Sequence, residues 1–358
     1  MPFTNSRINH IRQALSNWYE IHKRDLPWRD IKDTYKIWIS EIILQQTRVN
    51  QGHNYYIRFI KRFPDIKSLA EADEQEVLKY WQGLGYYSRA RNLHKTAQII
   101  LQKYNGSFPT TFKEIISLPG IGEYTASAIC SFSYNQPYAT VDGNIFRVLS
   151  RLFAIDTPID TTIGKKEFNE IAQQLLDKRN PGLHNQSIME FGAIYCIPKN
   201  PDCINCVLKE FCKAYNLEIA HQLPVKIGKT KVTNRYFNYF FVKQGDYTFL
   251  RKRTKKDIWL NLYEFPLLET DKAADLNEIL KSEFLVELSG NKNIEIEGPV
   301  TSFRHILSHQ VINAVFYTIN IMTPENTDLE NYQKIRLEDL KRFPVSRLTE
   351  MFLEKTHI

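Results

Sequence analysis

The stretch "SLPGIGEYTASAI", Ser117–Ile129, decides how the first half of the chain is interpreted. It predicts the end of one helix, a tight turn that contains Gly120 and Gly122, and the start of a second helix. Glycine permits backbone geometry that other residues resist, and a helix start offers free N–H groups and the positive end of a dipole. The pattern therefore predicts an anion site suited to a DNA phosphate, although a plain connection between two helices fits the same turn.

Length and composition indicate a globular protein of two domains. The chain has 358 residues, of which 43% are hydrophobic and 24% charged, and its formal net charge is +7. A basic excess of this kind favours nucleic acid or another polyanion as the partner. The polar start does not resemble a signal peptide, and no apolar run approaches the roughly 18 residues that a membrane crossing needs. We therefore expect a cytoplasmic protein with no membrane partner.

Helical periodicity dominates the chain as far as about residue 220, which predicts an all-α first domain over residues 1–220. Predicted helices include Lys36–Val49, Ser88–Tyr104 and Ile145–Phe153, and no convincing strand pattern occurs in this part. Residues 221–232 are polar, basic and poor in core residues, which predicts a linker. Residues 233–358 alternate as β-strands do, with helical runs between them, and predict a smaller α+β domain.

Four of the five cysteines fall in one short segment: Cys196, Cys203, Cys206 and Cys212. So close a group of thiols implies a metal, because unliganded thiolates would repel one another and oxidise. One C-x-x-C pair flanked by longer arms fits a 4Fe–4S cluster better than structural zinc, which usually takes two such pairs set well apart. Zinc and the absence of any metal stay open as alternatives. The segment also carries three lysines, either as solvated surface charges or as a contact for phosphate: Lys199, Lys209 and Lys213.

Two carboxylates have contrasting surroundings. Asp142 stands just before a predicted helix, where amide donors and the helix dipole favour the anion, although an ordinary helix cap fits the same position. Glu41 has Trp38, Ile39, Ile42 and Ile43 as neighbours, and such apolar surroundings should raise its pKa, unless it occupies an exposed edge of the helix. One carboxyl poised as an acid and one held as an anion is the division of labour that glycosidic cleavage requires.

Several motifs resemble those of one enzyme family. They are "RDLPWR" (Arg24–Arg29), "SEIILQQTRV" (Ser40–Val49), "GLGYYSRARNLHK" (Gly83–Lys95), "LPGIGEYTASAI" (Leu118–Ile129), "VDGN" (Val141–Asn144) and the four-cysteine segment. Together they resemble MutY-type adenine DNA glycosylases of the endonuclease III, or helix-hairpin-helix, superfamily. The resemblance covers nearly the whole chain. Glu41 stands where this branch has its acid, whereas endonuclease III relatives have no glutamate there.

The resemblance implies a role for each matched residue of the first domain. Glu41 would protonate N7 of adenine, Asp142 would stabilise the sugar cation, Asn144 would orient Asp142, and Tyr124 would lie near the sugar. Four residues would wall the adenine pocket: Trp28, Arg29, Leu44 and Gln186. Five would contact DNA, the first three by filling or wedging the duplex and the glycines by holding its backbone: Gln46, Leu84, Tyr86, Gly120 and Gly122. Several of these, Leu84 and Tyr86 above all, also fit ordinary packing, and the hairpin carbonyls leave room for a bound cation.

The second domain resembles the MutT-like, Nudix-fold domain of the same family. Its hydrolase signature, a glycine followed by a spaced glutamate cluster, is absent from this sequence, so the domain is expected to bind without hydrolysing. The resemblance implies that Leu307, Ser308 and His309 recognise 8-oxoguanine. Many relatives have phenylalanine at the position of Leu307, and leucine cannot stack as an aromatic ring does.

The leading hypothesis is a monomeric, monofunctional base-excision-repair enzyme that removes adenine opposite 8-oxoguanine or guanine in double-stranded DNA of the nucleoid. One alternative is a bifunctional glycosylase/lyase acting on oxidised pyrimidines, which needs a lysine amine where Tyr124 stands. A second alternative is a non-catalytic DNA-damage-binding iron–sulfur protein. The presence of both Glu41 and Asp142 disfavours this alternative. Strand cleavage would in the leading hypothesis fall to another enzyme.

Overall fold

The computed structural model describes residues 5–228, 231–290, 294–322 and 328–358. The chain divides into two compact units, residues 1–71 with 92–228 and residues 72–91 with 229–358. This division differs from the predicted sequential domains, because residues 72–91 pack with the second unit and residues 221–228 of the predicted linker pack with the first. Residues 229 and 230 of that linker lie outside the described residues. In the described ranges, none of the helices has the length and apolarity that crossing a bilayer requires.

The first unit is helical throughout its described residues, as predicted. Its helices are α1 (Asn5–His22), α2 (Thr34–Leu44), α3 (Val49–Arg62), α4 (Ile66–Ala70), α6 (Ser88–Lys103, whose first turn belongs to the second unit), α7 (Phe112–Ile116), α8 (Glu123–Tyr134), α9 (Gly143–Phe153), α10 (Thr162–Leu175), α11 (Pro181–Ile194) and α12 (Lys213–Asn216). A buried core joins α1, α9, α10 and α11 through residues such as Leu15, Leu149 and Phe191.

The helix predicted over Lys36–Val49 ends earlier, at Leu44. Gln46 has a left-handed backbone (φ 54°), and the chain turns there before α3 begins at Val49. Gly52 then brings α3 close to the end of α2, since a Cβ atom at Gly52 would lie 2.9 Å from Cδ2 of Leu44. Close packing of the two helices therefore replaces the continuous helix that the apolar pattern predicts.

The glycine hairpin joins α7 to α8 as predicted. Gly120 has φ +76°, and a Cβ atom there would lie 2.7 Å from Cβ of Asn92, so both conformation and space require glycine. Gly122 is the N-cap of α8 and has an ordinary φ of −92°. The prediction of special backbone geometry is therefore wrong for Gly122, whose missing side chain instead leaves open space in front of the helix.

The second unit is α+β, as predicted. Its helices and strands are α5 (Glu74–Trp81), β1 (Thr233–Gln244), β2 (Tyr247–Lys252), β3 (Tyr263–Glu264), β4 (Leu267–Thr270), α13 (Leu276–Leu280), α14 (Glu283–Ser289), β5 (Ile294–Ile306), β6 (Gln310–Ile321), β7 (Gln333–Arg336) and α15 (Arg347–Thr356). The strands form a mixed sheet of order β3-β2-β1-β6-β5. Strand β1 pairs in parallel with β6, while β4 and β7 pair antiparallel with β1 and β2.

Candidate active site

A cavity of about 490 Å³ in the first unit brings together the predicted catalytic and adenine-pocket residues. The lining includes all four predicted catalytic residues and all four predicted pocket residues, together with one predicted DNA contact: Glu41, Asp142, Tyr124, Asn144, Trp28, Arg29, Leu44, Gln186 and Gln46. Helix α2, the N-termini of α8 and α9, and helix α11 each contribute side chains. Residues that lie far apart in the sequence therefore face one cavity.

Glu41 is the buried acid of this cavity. It is 7% exposed, on the face of α2 that turns inward. Burial raises the pKa of Glu41 to about 7 and the charge of Asp142 adds to this, whereas a hydrogen bond from Tyr124 and the charge of Arg29 lower it. The predicted direction is confirmed, and at neutral pH a large part of this carboxyl retains its proton.

Asp142 lies at the start of α9, as predicted, and it also caps that helix, which was the alternative interpretation of its position. Its Oδ1 accepts a hydrogen bond from the backbone N–H of Ile145 (2.8 Å), and its Oδ2 accepts one from Nδ2 of Asn144 (2.7 Å). Burial raises the pKa of Asp142 above its usual value, while these hydrogen bonds lower it. The donors therefore favour the anion as predicted, but the net shift is upward because burial is the larger cause.

Arg147 connects Asp142 with the cysteine segment. Its Nη2 donates to Oδ1 of Asn144 (2.8 Å), and its Nε donates to the carbonyl of Cys196 (2.8 Å). Because the side-chain oxygen of Asn144 accepts a hydrogen bond from Arg147, the side-chain NH₂ group of Asn144 points to Asp142. The first turn of α9 and the start of the cysteine segment thus hold the carboxylate of Asp142 in one orientation.

A second network, centred on the buried carboxylate of Glu190, lines the same cavity. Glu190 on α11 accepts from Nε of Arg24 (2.6 Å) and from Nη2 of Arg29 (2.6 Å). Burial alone would raise the pKa of Glu190, but hydrogen bonds from Arg24 and the charge of Arg29 outweigh this effect and lower it below its usual value. Nη1 of Arg29 also donates to the hydroxyl of Tyr19 (2.7 Å), which is linked to Oε1 of Gln186 (2.9 Å).

The sequence did not identify Tyr19, Glu190 or Arg147 as parts of the site. For Glu190 there was a signal, because Gln186, Met189, Glu190 and Ala193 recur at helical spacing and all four line the cavity. For Arg147 there was also a signal, because it lies one helical turn after Asn144 on α9. For Tyr19 there was none, since its contacts with Arg29 and Gln186 depend on the tertiary structure.

The four cysteines line a common cavity beside α9. Two of the sulfurs already accept N–H donors, Cys196 from Nη1 of Arg151 (3.4 Å) and Cys206 from the backbone N–H of Leu208 (3.4 Å). Within the described ranges, no three His, Cys, Asp or Glu side chains converge closely enough to hold a single metal ion. Four cysteine side chains around one cavity, two of them with an N–H donor to the sulfur, have the chemistry that a multi-iron cluster needs.

The predicted 8-oxoguanine contacts lie in the second unit, in the turn between β5 and β6. A cavity of about 460 Å³ is lined there by Leu307, Ser308 and His309 and also by Tyr86. The hydroxyls of Tyr86 and Ser308 are hydrogen-bonded to each other. Leu84 is buried, so inserting it into a duplex would require it to leave its packing.

The comparisons with known proteins agree with this arrangement. Residues 39–177 match the HhH-GPD superfamily of base excision DNA repair proteins, and residues 238–355 match the NUDIX domain. The chain is 37% identical over 318 residues to an adenine DNA glycosylase of Buchnera aphidicola subsp. Baizongia pistaciae, which amounts to 86% of each chain. It is also 37% identical over 347 residues to an adenine DNA glycosylase of Buchnera aphidicola subsp. Acyrthosiphon pisum, which amounts to 96% of each chain.

Among solved structures, a thermostable thymine-DNA glycosylase aligns with a TM-score of 0.55 and 28% identity over 60% of this chain and 98% of that chain. The helical first unit and the Nudix-like second unit are the two parts that the resemblance predicts, and the predicted family and fold class are confirmed. The chain belongs to the adenine DNA glycosylase family, within the HhH-GPD superfamily of base excision DNA repair proteins.

Proposed function

We propose that this enzyme hydrolyses the N-glycosidic bond of adenine opposite 8-oxoguanine or guanine in duplex DNA and does not cleave the strand. One observation carries the proposal: Glu41, with a pKa of about 7, and Asp142, held by two N–H donors, face the same cavity. The target adenine must leave the base stack to enter such a cavity.

The two carboxyls divide the chemistry between them. Glu41 donates its proton to N7 of adenine, the bond between C1′ and N9 breaks, and its electron pair leaves with the base. Asp142 stabilises the positive charge that develops on the sugar. Water then adds at C1′, and the proton it releases restores the acid form of Glu41. The products are free adenine and an abasic site.

The lining of the cavity also supports hydrolysis without strand cleavage. A lyase needs an amine that forms a Schiff base with the sugar. Tyr124 supplies none, and no lysine is found among the described residues that line this cavity. Arginines stand there instead, and a guanidinium stays protonated at neutral pH and is a poor nucleophile.

The rate of base release should depend on pH through Glu41. Because the acid form is required, the single-turnover rate should fall about tenfold per pH unit above about 7.

The raised pKa of Glu41 also predicts a change in stability with pH. The free energy of unfolding of the wild-type protein should fall relative to that of Glu41→Gln as the pH rises from 4.5 to about 7. Denaturant unfolding of both proteins across this range would test the assignment without catalysis, and a constant stability difference would contradict it.

We further propose that Cys196, Cys203, Cys206 and Cys212 hold one 4Fe–4S cluster. A cluster would order the segment and, with Lys199, Lys209 and Lys213, present it to DNA phosphate. Cys206→Ser should lose iron and visible absorbance, unfold at a lower temperature and bind DNA more weakly. The control is Cys130→Ala, a buried cysteine in α8, which should keep its iron. Zinc in place of iron in the wild-type protein would refute the assignment.

The second unit is proposed to recognise 8-oxoguanine through Leu307, Ser308 and His309, and Tyr86 shares that cavity. Wild-type enzyme should release adenine fastest opposite 8-oxoguanine, more slowly opposite guanine and not opposite thymine. Ser308→Ala should reduce the preference for 8-oxoguanine over guanine by roughly tenfold, because the loss of one hydrogen bond has about this effect. Ser302→Ala, a change on β5, is the control. Release that ignores the opposite base would contradict this proposal.

The hairpin is proposed to hold the DNA backbone. Gly120 and Gly122 are exposed, and α8 begins immediately after Gly122 without a side-chain cap. Free N–H groups at a helix start suit a phosphate, and such a contact positions DNA without reading its sequence. A cation held by hairpin carbonyls would serve the same contact. Acting in this way as a monomer, the enzyme would work on DNA of the nucleoid.

A further inference from the structure

We infer that Tyr19 fixes the side-chain amide of Gln186, so that its NH₂ group rather than its carbonyl faces the substrate base. The enzyme would then read a ring-nitrogen acceptor of adenine through Gln186. This inference rests on the proposed removal of adenine and deepens it, because it assigns a positioning residue and a recognition contact to the same cavity.

The orientation follows from which groups can donate. Arg29 can only donate, and its Nη1 lies 2.7 Å from the Tyr19 hydroxyl oxygen, which therefore accepts. The hydroxyl proton of Tyr19 must point elsewhere, and Oε1 of Gln186 lies 2.9 Å away. If the amide were turned over, its NH₂ group and Arg29 would both donate to Tyr19, and a buried hydroxyl proton would have no acceptor.

The neighbouring contacts keep this arrangement in place. Tyr19 is fully buried, and the guanidinium of Arg29 lies 5.5 Å from the centre of its ring. Arg29 is in turn bound to the buried carboxylate of Glu190. Gln186 itself lines the cavity, and its Nε2 has no protein acceptor among the described residues. The free donor of Gln186 is therefore directed at the contents of the cavity.

The chemistry of the base makes this orientation selective. Adenine offers ring nitrogens N1, N3 and N7 as acceptors and its exocyclic amine as a donor. With N7 taken by Glu41, a fixed NH₂ group suits N1 or N3. A site built around such a donor rejects a base that lacks the matching acceptor, because the donor is then left unpaired.

Three substrates test the inference: adenine, 1-deazaadenine and 3-deazaadenine, each opposite 8-oxoguanine. Every variant is compared with wild type on the same substrate, which cancels the intrinsic reactivity of each base. Gln186→Ala should slow adenine release roughly tenfold, the net value of one hydrogen bond, but should not slow release of the analogue that lacks the nitrogen read by Gln186. Tyr19→Phe keeps the ring and should show the same pattern.

Two further variants make the test specific. In the double variant Y19F/Q186A, the rate of adenine release should fall by the same factor as in Gln186→Ala alone, because Tyr19 acts through Gln186. Gln186→Glu keeps an acceptor for Tyr19 but turns a second acceptor toward the base. Its rate of adenine release should therefore fall further than that of Gln186→Ala. The control is Tyr35→Phe, which removes a buried hydroxyl bound to the carbonyl of Phe63 outside the cavity, and it should leave all three rates unchanged.

Equal slowing of all three substrates by Tyr19→Phe, or losses that multiply in the double variant, would overturn the inference and leave a purely structural role. No effect of Tyr19→Phe on an active enzyme would also overturn it without touching the proposed function. If the wild-type enzyme released no adenine at all, the proposed function would fail, and this inference would fail with it.

Discussion

Replacing Glu41 with glutamine should lower the single-turnover rate of adenine release about a thousandfold, within the range that general acid catalysis supplies. Glutamine has nearly the same shape and keeps the buried position, but it cannot transfer a proton. Protonation of the leaving base is therefore lost, while the fold and the DNA-binding surface persist. Affinity for an uncleavable duplex should stay within about threefold of the wild-type value, since the lost proton contributes little to binding.

The matched control for this change is Glu114→Gln. Glu114 lies on α7, where it accepts a hydrogen bond from Thr111, and it does not line the cavity. The Glu114→Gln variant should retain the wild-type rate of adenine release. If Glu41→Gln released adenine at a rate near that of the wild-type enzyme, Glu41 would not be the acid.

Replacing Asp142 with asparagine should lower the same rate by about 10² to 10³, the effect expected when a group that stabilises developing charge is removed. Asparagine is nearly isosteric and is an equally good helix cap, so α9 should still begin at Gly143. What disappears is the negative charge beside the sugar. The loss should appear in the rate at saturating enzyme rather than in DNA affinity.

Asp65→Asn is the control for Asp142→Asn. Asp65 is also an N-cap aspartate, accepts a hydrogen bond from the N–H of Ser68, and lies outside the cavity. Its replacement should change neither rate nor affinity. A full rate in Asp142→Asn would show that the anion does not take part in the reaction.

Local patterns in the sequence predicted the helical character of the first unit and its glycine hairpin. The glycines and the apolar run after them predicted the hairpin, and Gly120 has the left-handed backbone expected of it. The end of α2 was not predictable in this way. The helix was predicted to continue to Val49, and the turn near Gln46 is accompanied by close packing of Gly52 against Leu44, two residues on different helices.

The two carboxyls were predictable because their local surroundings determine their chemistry. Apolar neighbours on α2 bury Glu41, and the start of α9 supplies the donors of Asp142. The upward shift in the pKa of Asp142 was not predictable, because it depends on how deeply the folded chain encloses the residue. The orientation of Gln186 likewise depends on Tyr19, which lies on a different helix.

The most direct test of the account is a single-turnover assay on a duplex with one adenine opposite 8-oxoguanine, with borohydride added to a parallel sample. We predict rapid release of adenine, an intact strand until alkali is added, and no covalent adduct after borohydride. Borohydride traps a Schiff base, so abundant adduct would indicate a lyase. Absence of released adenine would contradict the central claim that Glu41 and Asp142 together cleave its glycosidic bond.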